Sequence, residues 1–156
     1  MALVRNIGIY SNCVNVSAVV GVDAEIELEE SSADDVIQCE DKIVSQWREV
    51  SADEQQEVRE QVDDILRPLG FRTRLLVVEH DNSIALYFFS MSLLAVTSLR
   101  DLWLNGQLRD IVESLFTLLA GATKSVRVKR LTWPLSDYER CLQFFSSVQG
   151  KPAICS

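Results

Sequence analysis

The sequence predicts an α+β fold, a mostly antiparallel sheet with helices packed on it (an α/β sandwich), in the order β-β-α-α-β-β-α-β-α. Three observations carry that expectation. Leu104, Leu108, Ile111, Val112, Leu115, Leu118 and Leu119 recur at three- and four-residue spacing, which lines one face of a helix too apolar to lie in solvent. Arg72 to Glu79 and Ser83 to Ser90 are rich in β-formers and are joined by His80-Asp81-Asn82, the pattern of a hairpin. Ser32 to Asp35, Ser51 to Glu54 and Ser136 to Glu139 each place a serine three residues before an acid at the head of an amphipathic stretch.

Taken in order, Val4–Tyr10 and Val14–Val20 read as a hairpin or a bent strand closing at Gly21. Ala24 to Leu28 alternates as an exposed strand does. Val36, Ile43, Val44 and Trp47 then share a helix face with Glu40 at its edge. Ser51 is the expected N-cap of a helix carrying Val58, Val62, Ile65, Leu66 and Leu69, loosened by Pro68 and ended by Gly70. The run Ile84–Phe89 is apolar on both faces, which suits a central strand. Met91 to Thr97 has no clear pattern, and Ser98 with Asp101 caps a short helix. Asn105 can cap the long helix, and Gly121 supplies a left-handed end. Ser125 to Leu131 alternates as a strand, and Ser136 opens a last helix that buries Tyr138, Cys141, Leu142 and Phe145. Residues 1–150 are thus expected to form one domain, with 151–156 a tail or the start of a linker.

Charge narrows the function classes. The chain of 156 residues carries a net charge of −8, placed unevenly: five basic and sixteen acidic side chains over 1–70, ten basic and seven acidic over 71–156. An acidic chain lacks the concentrated positive face that nucleic acid requires. The asymmetry permits head-to-tail contact between copies. No apolar run approaches the length of a membrane span, and nothing resembling a signal peptide follows Met1, so a cytoplasmic protein with free thiols is expected. Cys13, Cys39, Cys141 and Cys155 have no metal-ligand spacing, so no metal and no cofactor is expected. His80, the single histidine, falls at a polar hairpin tip rather than beside a nucleophile, and no phosphate-cradling glycine motif is present. An enzyme is therefore not expected.

The stretch from Ser51 to Phe145 resembles the N-terminal domain of the TRADD family, adaptors of tumour-necrosis-factor receptor signalling. The likeness lies in the capped helix ending near Gly70, the hairpin with Ile84, and Asn105-Gly106-Gln107-Leu108-Arg109 at the head of the long helix. Asp137-Tyr138-Glu139-Arg140-Cys141-Leu142 completes it. The resemblance implies an α/β sandwich whose sheet is left partly open, binding the C-terminal domain of a TNF-receptor-associated factor in death-receptor or innate-immune signalling. It implies Ile84 as an apolar contact and His80 as a loop hydrogen-bond donor. The aromatic pair of the family's first strand is replaced near Ile7, Gly8, Ile9 and Tyr10, which leaves Tyr10 as the aromatic anchor. The family's C-terminal death domain has no counterpart within these residues. A non-catalytic adaptor is the first expectation; the alternative is a self-associating scaffold domain of a larger signalling protein.

Overall fold

The computed structural model describes residues 2–10, 13–29, 32–52, 56–80, 83–121 and 126–149, with side chains described between 17 and 147. The elements run β1 (Ala2–Tyr10), β2 (Cys13–Glu27), α1 (Ala33–Ser51), α2 (Gln56–Leu66), a 3-10 turn (Arg67–Leu69), β3 (Thr73–His80) and β4 (Ile84–Ser90), then α3 (Leu93–Leu104), α4 (Gln107–Leu119), β5 (Arg127–Thr132) and α5 (Leu135–Gln149). The class and the order are those the sequence predicts. The helix ahead of the long one is larger than expected: it starts at Leu93, because the Ser92 hydroxyl accepts the Ala95 amide at 3.1 Å.

The sheet is antiparallel throughout and is organised by β2. One edge of β2 pairs with β4 over Ala18–Ala24. The other is shared end to end: β1 pairs with its first half, from Cys13 to Val20, and β5 with its end, from Asp23 to Glu27. Beyond β4 lies β3, an edge strand. Two expectations change here. Gly21 does not close a hairpin, since β2 runs through it in register with Tyr87. Ala24, expected on an exposed strand, is fully buried because β4 and β5 flank it.

The strand residues that meet the helices are Ala18, Val20, Val22, Ala24 and Ile26 of β2, Ile84, Leu86 and Phe88 of β4, Leu75 and Val78 of β3, and Val128 of β5. The spacing from Leu75 to Val78 is odd because a bulge between Leu75 and Val77 inserts Leu76, keeping both neighbours of the core facing inward. Against this face α4 lays Leu108, Ile111, Val112, Leu115 and Leu119, as the periodicity predicts, together with Phe116. Leu104 belongs to α3 instead and is 65% exposed.

The caps divide in the same way. Ser32 accepts the Asp35 amide and Asp35 accepts the Ser32 amide, so the capping box of α1 forms. Ser51 is the last residue of α1, its hydroxyl donating to the Arg48 carbonyl, and does not cap α2. Ser136 lies inside α5, because the Pro134 carbonyl already takes the Asp137 and Tyr138 amides. Asn105 ends α3, yet its Oδ1 accepts the Gln107 amide at 2.9 Å, and so it also serves the start of α4. Gly121 has φ +86°, the left-handed stop expected there.

Candidate functional site

The alternate residues of β2 and β4 are absent from the helix-packed core. Val19, Ala85, Tyr87 and Phe89 point to the opposite face of the sheet. Cross-strand register arranges that face in rows. Arg74, Phe89 and Val19 form one, Val77, Tyr87 and Gly21 the next, and Glu79, Ala85, Asp23 and Thr132 the third. Val19 and Ala85 are buried, Tyr87 and Phe89 half-buried, and Val77 is 38% exposed. Gly21 brings no side chain between Tyr87 and the β1/β5 edge of β2. Arg74, Glu79, Asp23 and Glu25 are exposed around this apolar centre. An aromatic centre with a charged rim is the anatomy of a protein-contact surface.

Of the residues the resemblance implied, none sits at that centre. Tyr10 ends β1 in register with Cys13, and its side chain lies outside the described residues. Ile84 is fully buried among core residues, since its place in the ladder points it at the helices; its role as a direct contact is corrected. His80 is the last residue of β3, and its ring turns toward α1 rather than serving as a free loop donor. Nδ1 lies 2.8 Å from Asp41 Oδ1 and Nε2 3.3 Å from Glu40 Oε1. His80 therefore fastens the β3–β4 hairpin to α1. Sequence reasoning missed Tyr87 and Phe89. Their period-two placement within Ile84–Phe89 was the available signal, read only as evidence of a central strand.

Glu40 is 6% exposed. Burial pushes its carboxyl above the ordinary value of 4.5; the His80 ring pulls it back, and Asp41 adds to the upward push. A carboxyl raised by folding stabilises the protein fully below its ordinary value, and that contribution is lost as pH rises through the folded one. Glu40→Gln removes the titration and keeps an amide oxygen for His80. The variant should gain stability relative to the parent as pH rises from about 4 to about 8. Urea midpoints measured in parallel check this, and a gap between the two proteins that stays constant with pH would refute it.

A second cluster binds α3 to the start of α5. Arg100 is 8% exposed, and its guanidinium carbon lies 4.2 Å from the ring centre of Trp103, 4.9 Å from Tyr138 and 5.0 Å from Trp133. It donates to the Trp133 carbonyl at 2.8 Å. Trp103 donates to the Leu131 carbonyl at 3.0 Å, so the box is tied to β5 as well. Cys141 in the same helix is fully buried, and burial followed by the nearby Asp137 charge pushes its thiol up to about 11. That thiol is held in its unreactive form.

Among the described residues there is no group of three or more His, Cys, Asp or Glu side chains that could hold a metal ion, and no helix long and apolar enough to cross a membrane. The fold and the site define an α+β sandwich with helices gathered on one face of its sheet and an aromatic patch on the other. No protein-family model, curated protein or solved structure matches the chain.

Proposed function

We propose that this chain is a non-catalytic protein-interaction domain, an adaptor that recruits a signalling partner across the helix-free side of its sheet. The observation that supports the reading is the pair Tyr87 and Phe89, held side by side outside the core with Val77 exposed next to them. Aromatic side chains of this kind give a large contact area for little lost entropy. The sequence resemblance to the TRADD N-terminal domain points to the partner's class: the C-terminal domain of a TNF-receptor-associated factor, met in the cytoplasm during death-receptor or innate-immune signalling. Tyr10, at the end of β1 on the far side of β2, remains a contact in this reading; Ile84 does not.

Titration calorimetry with such a domain tests it. The double variant Tyr87→Ser, Phe89→Ser should weaken binding at least tenfold, about 1.4 kcal/mol. Near-ultraviolet circular dichroism would show that the tertiary fold persists. Parent protein that binds no more tightly than the folded variant would refute the adaptor reading.

A further inference from the structure

We propose that two copies of the chain pair edge to edge through β3, giving a two-fold dimer whose sheet runs from one subunit into the other. The ends of the sheet differ in how they are closed. Around β5, side chains from α3 and α4 occupy outward-facing backbone groups. Glu113 accepts the Val128 amide at 2.8 Å, and Trp103 and Arg100 donate to the Leu131 and Trp133 carbonyls. Such plugs keep a further strand from adding there. On β3 the Trp47 indole reaches the Leu76 carbonyl at 3.4 Å, a contact that steadies the bulge. Leu76 and Val77 beside it are apolar and exposed. An edge strand with apolar side chains in solvent is a template for another strand.

The order of residues along β3 makes a second copy the fitting strand. In antiparallel pairing about a two-fold axis between Leu76 and Val77, Leu76 meets Val77 of the second copy, Leu75 meets Val78, and Arg74 meets Glu79. Directly opposite residues must point to the same face of the sheet. A regular strand fails that test, because positions 74 and 79 are an odd number apart and would face opposite ways. The bulge removes the conflict. Its extra residue, Leu76, leaves Arg74 and Glu79 both on the helix-free face and Leu75 and Val78 both on the core face. Apolar side chains then meet at the centre, and each base faces an acid beside it. Arg74 and Glu79 are exposed, and neither is in an ion pair with another described residue. An unrelated peptide would have to supply an acid and a base at this spacing; the strand already carries both.

Arg74 and Glu79 belong to the rim of the aromatic face, so pairing them across the axis joins the two rims. The axis stands perpendicular to the sheet, which sets Tyr87 and Phe89 of both copies on the same side. The dimer does not depend on the adaptor reading. If that reading holds, the joined face binds a multivalent partner with avidity.

Sedimentation velocity from about 1 to about 200 µM, a range that brackets micromolar dissociation constants, tests the proposal with no partner protein present. The parent should double in mass across that range, and hydrogen exchange at its upper end should slow at the β3 amides from Thr73 to His80. Arg74→Glu and Glu79→Arg should each weaken the dimer at least tenfold, because the axis makes every reversal act twice. Combining the two should restore it, an effect that loss of folding does not produce. A parent that is monomeric throughout overturns the proposal, as does a dimer whose β3 amides gain no protection or that survives both single reversals. Oligomers that grow beyond two copies overturn it in favour of head-to-tail charge pairing. The Tyr87→Ser, Phe89→Ser variant is read on partner binding alone, so the dimer and the adaptor reading fail separately.

Discussion

Leu115→Ala should lower the free energy of unfolding by about 2–5 kcal/mol, the range for a leucine removed from a close-packed interior. Leu115 is fully buried in the middle of the stripe that α4 presents to the core. Helices α1, α2 and α3 all touch α4, and β5 packs beside it, so the site has neighbours on several sides. Such a site collapses poorly around a missing side chain, which puts the expected loss in the upper half of that range. Chemical denaturation of the two proteins measures it. A difference under about half a kilocalorie would mean that the wall relaxes to fill the gap and that α4 is not the rigid centre of the core.

The contrast between α4 and the capping serines shows what was legible in the sequence. Helix faces were, because burial acts over several turns and leaves a periodic record; the stripe from Leu108 to Leu119 needs no knowledge of its partners. Helix starts were less so, because two chemistries compete within a few residues. Ser136 with Glu139 has the spacing of a capping box, but Pro134 precedes it and its carbonyl closes the first turn earlier. The role of Gly21 was hidden for another reason. A glycine between two β-rich runs reads as a turn, and only pairing with β4, more than sixty positions later in the chain, keeps it extended.

The candidate site was legible in kind and not in detail. The apolar character of Ile84–Phe89 was plain, and so was the hairpin that contains it. Which of its residues face the helices depends on the register with β2 and on the bulge at Leu76, and neither leaves a local mark. His80 illustrates the same limit. Its polar neighbours suggested a solvent-facing loop, whereas its partners Glu40 and Asp41 lie on a helix some forty residues earlier. A charge partner at that distance along the chain cannot be read from composition.

Arg100 carries the second large effect: Arg100→Ala should cost about 2–4 kcal/mol. Two losses make up that figure. The Trp133 carbonyl gives up a charge-assisted hydrogen bond of 2.8 Å, worth about 1.5–3 kcal/mol. A desolvated guanidinium among aromatic rings adds about 2 kcal/mol, offset by no longer burying a cation. Conservative variants separate charge from shape. Arg100→Lys keeps the charge but is a point cation on a flexible stem, without the guanidinium group whose carbon lies close to the Trp103, Trp133 and Tyr138 rings; it should lose more than about 1 kcal/mol. Arg100→Met keeps the stem and drops the charge. If the ring contacts stabilise through the cation, the methionine variant falls between the lysine and alanine variants in urea midpoint. A methionine variant as stable as the parent would show that the box holds α3 to α5 by packing alone, and the electrostatic account of the cluster would be wrong.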